Sequence, residues 1–497
     1  MSVKNKEGFA AKCFYGFADI YGGGAFVVIS TFYTVFLTKA LVIPAVLAGT
    51  IPLVGKIWDA VTDPVMGNIA DRTSSRFGAK RFYLLLGSIV SAITFLLMWL
   101  PFSGGSITAR YFFYLGMYML FSTGFTIVMV PYNALLPDMV DDYTARSKFS
   151  GVRMVFSTFG AILAGLVPTI CIRNTTSASE YLPVALFFSL LFFAAIFLTF
   201  WGTWEKQKQP VRVSIRQSFV QCFTVYKSRS FRLFIIIFLA GQGAADFGTG
   251  MAVYYVDDVL NAYGGGRFTM LMGTLLLAGF LGTILFSLLM PRTSKRFPIL
   301  IGFPVRILAT LALLFFSHEG SSFAAILFLT FVNGLGTAAS STSIYAILSD
   351  MADVDELITS INRPALCSAM ATFIRKIATG FSASIIGILL ALVGFDEQLA
   401  STGLRQSAHT QAGIAYIYVF VPVILLVLTI LAAVFFPLNR REFEIVKKEI
   451  ARRKGRDTSP TPAEEIKVIE KVTGFAFGAL WNENNALKLW VKKEEEA

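Results

Sequence analysis

Arg72-Thr73-Ser74-Ser75-Arg76-Phe77 is answered far along the chain by Arg292-Thr293-Ser294-Lys295-Arg296-Phe297. A second pair repeats in the same order. Ala134-Leu135-Leu136-Pro137-Asp138-Met139-Val140-Asp141-Asp142 matches Ala346-Ile347-Leu348-Ser349-Asp350-Met351-Ala352-Asp353-Val354-Asp355, at a similar separation. Two matches in order predict a duplicated unit. Each segment sits at the end of an apolar block, so the unit is built of such blocks.

Twelve apolar blocks run along the 497 residues, of which 55% are hydrophobic and only 15% charged. A soluble chain of this length needs more charge to cover its surface. About 20 apolar residues wound as a helix cross about 30 Å of hydrocarbon. The runs are continuous rather than alternating, which argues against strands. The prediction is an all-α integral membrane protein with 12 transmembrane helices in two six-helix halves. Residues 8–203 form the N-terminal half, 204–232 a central loop, 233–437 the C-terminal half and 438–497 a tail. Two like halves imply alternating access to a site near the mid-plane. Glycines of the first and seventh spans, Gly22-Gly23-Gly24 and Gly241, Gly243, Gly248, Gly250, suit close helix approach or bending.

The formal net charge of +12 would suggest nucleic acid in a soluble protein. Here the basic residues collect in alternate loops: Arg72, Arg76, Lys80 and Arg81; the central loop; and Arg292, Lys295 and Arg296. The intervening loops carry about one each: Lys39, Arg110, Arg173, Arg267 and Arg405. That asymmetry places both termini in the cytoplasm of a multi-pass cell-membrane protein and leaves no nucleic-acid partner to expect. Met1–Lys12 is polar and basic and leads straight into a span, so no cleaved leader is expected. The four cysteines lie far apart and form no metal-ligand pattern. The two histidines, His318 and His409, fall in or near outer loops, and no GxSxG or HExxH motif appears. An enzyme and a resident cofactor are therefore not expected.

Charges inside hydrocarbon are costly and mark function first. The second span reads Lys56-Ile57-Trp58-Asp59-Ala60-Val61-Thr62-Asp63-Pro64. Asp59 and Asp63 are four residues apart and share a helix face. Such carboxylates repel unless one is protonated, a cation lies between them, or they pair with Lys56, Arg153 or Lys376. Thr62 offers a hydroxyl near that face, and hard cations prefer oxygen. Arg153, Arg375 and Lys376 lie within spans and can hold a solute or neutralise a cation site. Asp19 and Asp246 occupy matching places in the two halves, where either can face the cavity. Tyr15, Trp58 and Tyr132 neighbour these polar positions and offer faces for a sugar ring. At the cytoplasmic ends, Asp71, Arg72, Asp138, Asp141, Asp350 and Asp353 are expected to latch the halves when the protein opens outward.

At these residues the chain resembles the glycoside–pentoside–hexuronide:cation symporters, over about residues 8 to 437. Tyr15-Gly16-Phe17, Trp58 to Gly67, Asp71-Arg72-Thr73 and Arg76-Phe77-Gly78 carry the resemblance. Pro131 to Leu135, Arg153, Asp350 to Glu356 and Arg375-Lys376 support it. The resemblance implies the major facilitator fold and uptake of a sugar or glycoside with a monovalent cation, Na⁺ or H⁺, by a protein functional as a monomer. It puts the cation site on Asp59, Thr62, Asp63 and a fourth-span threonine, Thr126. It puts Arg153 near the sugar and Lys376 near the cation. The melibiose branch has asparagine at Thr62 and acids at positions matching Gly23 and Met129, so an α-galactoside is not implied. An uncoupled facilitator or exchanger, and a symporter of an amphiphile such as a lysolipid, are the alternatives.

The tail is polar. Arg440 to Lys454 reads as a basic helix lying on anionic membrane lipid. Ala463 to Trp490 reads as one or two short amphipathic helices with Phe475, Phe477, Trp481 and Trp490 on one side. Asn174-Thr175-Thr176 is a glycosylation sequon in an outer loop.

Overall fold

The computed structural model describes residues 8–102, 104–140, 143–205, 223–264 and 266–487. Among them, twelve helices are long and apolar enough to span a membrane. They are α1 (Phe9–Tyr33), α2 (Ala45–Gly67), α3 (Ala79–Leu97), α4 (Ile107–Leu136), α5 (Lys148–Cys171) and α6 (Ala178–Gly202), followed by α7 (Arg229–Val259), α8 (Arg267–Leu289), α9 (Phe297–Phe316), α10 (Phe323–Thr359), α11 (Leu366–Leu392) and α12 (Ala408–Phe435). The described residues contain no strand.

Local chemistry sets where the helices start. Serines at the N-caps of α4, α7, α10 and α12 (Ser106, Ser228, Ser322 and Ser407) accept from backbone N–H groups of the first turn. At α3 the cap comes from afar. The Glu205 carboxylate accepts from the backbone N–H of Lys80 at 3.0 Å and of Arg81 at 3.3 Å. An anion at a helix N-terminus is favourable. Gly78, at φ +99°, brings the chain past that carboxylate where a side chain would collide with it.

Helices α1 to α6 pack as one bundle and α7 to α12 as another, and α2 lies along α11 between them. That approach is close. A Cβ on Gly49 of α2 would lie 2.7 Å from the Ala383 carbonyl oxygen of α11, and one on Gly380 would lie 2.9 Å from the Leu53 Cα. The large apolar side chains exposed on the bundle are the expected lipid-facing surface, for example Ile57, Val61 and Val65 along α2.

The loop ends that carry the arginine and lysine clusters form one end of the bundle, the basic end. Helix α1 continues to Ala40 at the other, the far end. There the halves are tied together. Lys39 pairs with Asp257 at 2.7 Å and Asp258 at 2.6 Å. Thr38 bonds Tyr254 at 2.7 Å, and the backbone N–H of Ala45 donates to Glu397 at 2.7 Å. Burial opposes the Lys39 charge, but Asp258 and Asp257 together outweigh it and hold its pKa above the ordinary lysine value. Such a group loses its contribution only as pH rises through that elevated value, above the ordinary lysine range. The far end of the cleft between the halves is thus tied shut by these contacts.

The tail packs against the C-terminal half. Helix α13 (Arg440–Arg453), started by a capping box of Asn439 and Glu442, buries Val446 and Ile450 in one core with Val354, Leu357 and Ile358 of α10. Lys447 pairs with Asp353 at 2.6 Å, and Lys454 pairs with Glu356. Helix α14 (Ala463–Thr473) follows, and the Ser230 hydroxyl of α7 donates to the Val472 carbonyl at 2.6 Å. The backbone N–H of Trp481 donates to Leu357 at 3.0 Å. The apolar stripe of this helix is thus covered by the C-terminal half rather than left for lipid, and α10 supplies acids for Lys447 and Lys454. Phe475, Phe477 and Trp481 pack against the same core, while Trp490 lies outside the described residues. Ile450→Asp places a carboxylate in that apolar contact. It is expected to lower the melting temperature by several degrees and to speed tryptic cleavage within α13, read by a melting curve and by proteolysis.

Candidate functional site

Between the halves lies a cavity of about 550 Å³. Helices α1, α2, α4, α7, α10 and α11 line it, through Gly22, Phe26 and Ser30; Lys56; Tyr118 and Phe125; Asp246; Tyr345; and Arg375, Lys376 and Thr379, among others. Both halves contribute, and the polar groups are charged. This is the form of a solute site: concave, largely apolar, with a few convergent polar groups.

Helix α2 supplies two acids from one face, and each faces a lysine. Asp59 is fully buried and pairs with Lys56 at 3.2 Å, one turn earlier on the same helix. The Lys56 ammonium also stands 3.1 Å from the centre of the Phe26 ring, a cation–π contact. The other Asp59 oxygen, Oδ1, has no hydrogen-bond partner. Asp63 accepts a hydrogen bond from the Thr126 hydroxyl at 2.8 Å and pairs with Lys376. Lys376 belongs to α11, so this ion pair joins the two halves.

Thr62 does not join them. Its hydroxyl donates to its own helix, to the Trp58 carbonyl at 3.0 Å. Trp58 turns the other way as well. It is exposed beside Ile57, Val61 and Val65, with its indole N–H on Thr123 at 2.9 Å. Residues adjacent in a helix point about 100° apart, so a neighbour of Asp59 in sequence is not its neighbour in space.

Asp19, Arg153, Tyr132 and Tyr15 form a separate cluster within the N-terminal half. Arg153 donates to Asp19 at 3.1 Å, and its guanidinium lies 4.8 Å from the Tyr132 ring centre. Tyr132 stacks on Tyr15 at 4.9 Å and donates its hydroxyl to the Tyr15 carbonyl. Both tyrosines are fully buried, and neither lines the central cavity. Their reading as solute-stacking faces is corrected for this conformation. The cluster lies just behind the wall: a Cβ on Gly22, which lines the cavity, would lie 2.6 Å from Asp19 Oδ1. Gly23 and Met129 bring no carboxylate there, and a Cβ on Gly23 would meet the Ser157 hydroxyl at 2.5 Å.

The C-terminal half answers with Asp246 on α7, held bidentately by Arg375 of α11 at 2.5 and 2.7 Å. Thr379, one turn on, donates to the same carboxylate at 3.3 Å. Arg375 and Lys376 are adjacent yet serve different helices, again because of the helical turn. Sequence reasoning missed Phe26, Tyr118, Tyr345 and Thr379 in the wall. Thr379 had a readable signal, four residues after Arg375; the aromatic three did not stand out among so many.

At the basic end Asp138 pairs with Lys80, Asp350 with Lys295 at 2.6 Å, and Asp353 with Lys447 of the tail. Each of these pairs stays within one half or its appended tail. The Asp71 and Arg72 side chains and Asp141 lie outside the described residues.

Residues 14–440 match the family described as MFS/sugar transport protein. The chain is 24% identical to an isoprimeverose transporter of Lactiplantibacillus pentosus over 454 residues, 88% of this chain and 91% of that one. It is 31% identical to an uncharacterised symporter of Synechocystis sp. over 211 residues, which spans 39% of that protein's length. The structure is similar, with a TM-score of 0.60 at 13% identity, to an inward-facing, unoccupied bacterial homologue of the human lysosomal transporter Spinster, covering 91% of this chain and 98% of that one.

Proposed function

The chain belongs to the glycoside–pentoside–hexuronide:cation symporter family of the major facilitator superfamily, and on that premise we propose that it couples a sugar or glycoside to Na⁺ or H⁺ by alternating access. It is a multi-pass membrane transporter, not an enzyme. One observation carries the coupling: the Asp63–Lys376 pair, at the central cavity, joins a carboxylate of one half to an ammonium of the other.

A cation reaching Asp63 competes with Lys376 for the same oxygens. Asp63 and the Thr126 hydroxyl offer the hard oxygen donors that Na⁺ prefers, and a proton can take the carboxylate directly. Either event releases Lys376 from the opposite half. Cation binding thus alters how the halves meet, and the solute bound between them feels it. By linkage, cation and solute then raise each other's affinity by one factor.

The wall suits a sugar. Phe26, Tyr118 and Tyr345 offer ring faces, while Lys56, Arg375 and Thr379 offer hydrogen-bonding groups. Arg153 sits behind that wall and reaches solute only in a conformation where Asp19 releases it. With the basic end in the cytoplasm, both termini are cytoplasmic in the cell membrane and the sealed far end faces outward. On this reading the transporter works as a monomer, and a far end tied shut on the outer side fits a state that admits solute from within. In the opposite state Asp138, Asp350 and Asp353 exchange their partners for partners across the halves.

The test is uptake into liposomes of the purified protein, with radiolabelled glycosides, pentoses and hexuronates under an imposed Na⁺ or H⁺ gradient. The expected result is accumulation of one of these solutes driven by one of the gradients. Equilibration without accumulation would show a facilitator or exchanger. Movement of lysolipids but of no sugar under any gradient would replace the sugar with an amphiphile.

A further inference from the structure

We propose that Arg306 anchors a second ligand site, for a small monovalent anion, inside the C-terminal half and apart from the transport cavity. Three basic side chains are buried in this protein among the described residues: Lys39, Lys56 and Arg306. Lys39 faces two carboxylates and Lys56 faces one. Arg306, on α9, makes no ion pair among the described residues. Its Nε donates to the Asn333 Oδ1 at 3.1 Å and its Nη2 to the Ala244 carbonyl at 3.4 Å, both neutral acceptors. Its Nη1 has no partner. A guanidinium keeps its proton in a protein. A buried charge left without a counter-charge is among the costliest arrangements a fold can hold, and a membrane interior offers no bulk solvent to relieve it.

The surroundings supply what an anion needs. Arg306 lines a cavity of about 80 Å³ among α7, α8, α9, α10 and α12. A single water needs roughly 10–15 Å³ on that measure, so the space holds an ion with some water. The Thr330 and Tyr418 hydroxyls line it and make no hydrogen bond elsewhere among the described residues. Asn333 is fixed: its amide nitrogen donates to Thr310 at 2.8 Å while its oxygen receives Arg306. The guanidinium is thus held in place with one edge free. A Cβ added at Gly248, on the same wall, meets nothing within 4 Å. No carboxylate lines the space. One fixed cation, two free hydroxyls and no acid select an anion by charge, and the volume selects a small one.

This cavity shares no lining residue with the central one, so its occupant is neither the solute nor the coupling cation. Helix α7 is a common wall, with Ala245 and Thr249 on the anion side and Asp246 and Gly250 on the transport side. An anion at Arg306 therefore braces the helix that carries Asp246.

The experiment compares melting of the full-length protein in sodium chloride, sodium bromide and sodium gluconate at equal sodium concentration and ionic strength, gluconate being too large for the space. Chloride and bromide are expected to raise the melting temperature by about 3–6 °C over gluconate. In Arg306→Gln the three salts should give one melting temperature, and Tyr418→Phe should need a higher chloride concentration for the same shift. A crystal of the unaltered protein grown in bromide should show anomalous density beside the guanidinium, which decides the matter if Arg306→Gln does not fold. The proposal is overturned if the unaltered protein melts alike in all three salts, if the chloride shift persists in Arg306→Gln, or if bromide is absent from Arg306.

Discussion

Asp63→Asn accumulates no solute: gradient-driven uptake falls by about 10²-fold, to the passive level, while solute exchange across the membrane stays within about threefold of the unaltered protein. The substitution keeps the shape of the side chain and an oxygen for the Thr126 hydroxyl to bond at that position. It removes the charge that holds Lys376 across the halves and that a cation would seek. The cavity walls at Phe26, Tyr118, Tyr345 and Arg375, which the proposed function gives to the solute, are untouched, so exchange is expected to survive. Asp59→Asn is expected to lose accumulation too, but for a mixed reason. Asp59 is fully buried against Lys56, and removing one member of a buried pair costs about 3–5 kcal/mol. Asp59→Asn should therefore express poorly unless combined with Lys56→Gln, and Asp63→Asn is the cleaner test. Parallel measurement of accumulation and counterflow separates the two effects. Accumulation unchanged in both variants would sink the carboxylate pair as the coupling site and turn attention to Asp19 and Asp246.

The same geometry explains what the sequence could and could not disclose. The twelve spans were legible because a membrane crossing demands a long apolar run wherever it occurs, with no knowledge of its neighbours. The shared face of Asp59 and Asp63 was legible because four residues is nearly one helical turn. Trp58 and Thr62 stand apart from the acids, because proximity along a helix is not proximity in space. A step of one residue rotates Trp58 to the lipid side, and the Thr62 hydroxyl finds a carbonyl of its own helix. Pairings between helices were legible only as alternatives. Lys56 and Lys376 are among the cations the sequence offers to the acid pair, but which acid takes which, and that Arg375 rather than Lys376 meets Asp246, depends on the rotation of α11. Arg306 passed unremarked inside an apolar block, since its significance is the lack of an acid around it. The tail misled for a related reason: an amphipathic basic helix reads alike whether lipid or protein covers it, and Asp353 and Glu356 had to be seen beside Lys447 and Lys454.

Lys39 is the sharpest case of a residue whose role is invisible in the sequence, where it is a lone basic residue in an outer loop. In the structure it is buried and bound by Asp257 and Asp258, and Thr175 of the N-terminal half adds a hydrogen bond to Asp257 at 2.7 Å. Lys39→Ala leaves two adjacent carboxylates facing each other with no cation between them, a repulsion that is severe at low dielectric. The conformation sealed at the far end bears that cost; one in which the halves part there lets water reach both acids. If the 3–5 kcal/mol typical of a broken buried pair falls mainly on the sealed state, the balance moves toward far-end opening by roughly 10²- to 10⁴-fold. Ser30 lines the central cavity, so Ser30→Cys in a background lacking the natural cysteines reports the change. A membrane-impermeant maleimide added from the far side should label it at least about tenfold faster when Lys39 is alanine, with Lys39→Arg close to the unaltered rate. Asp257→Asn with Asp258→Asn should open the same end, since Lys39 is then buried alone. Combining all three substitutions removes every charge of the cluster and should recover much of the closure, the non-additivity expected of groups that act through one another. Equal labelling in the presence and absence of Lys39 would mean that the packing of α2 on α11 and the Thr38–Tyr254 bond hold the far end without it.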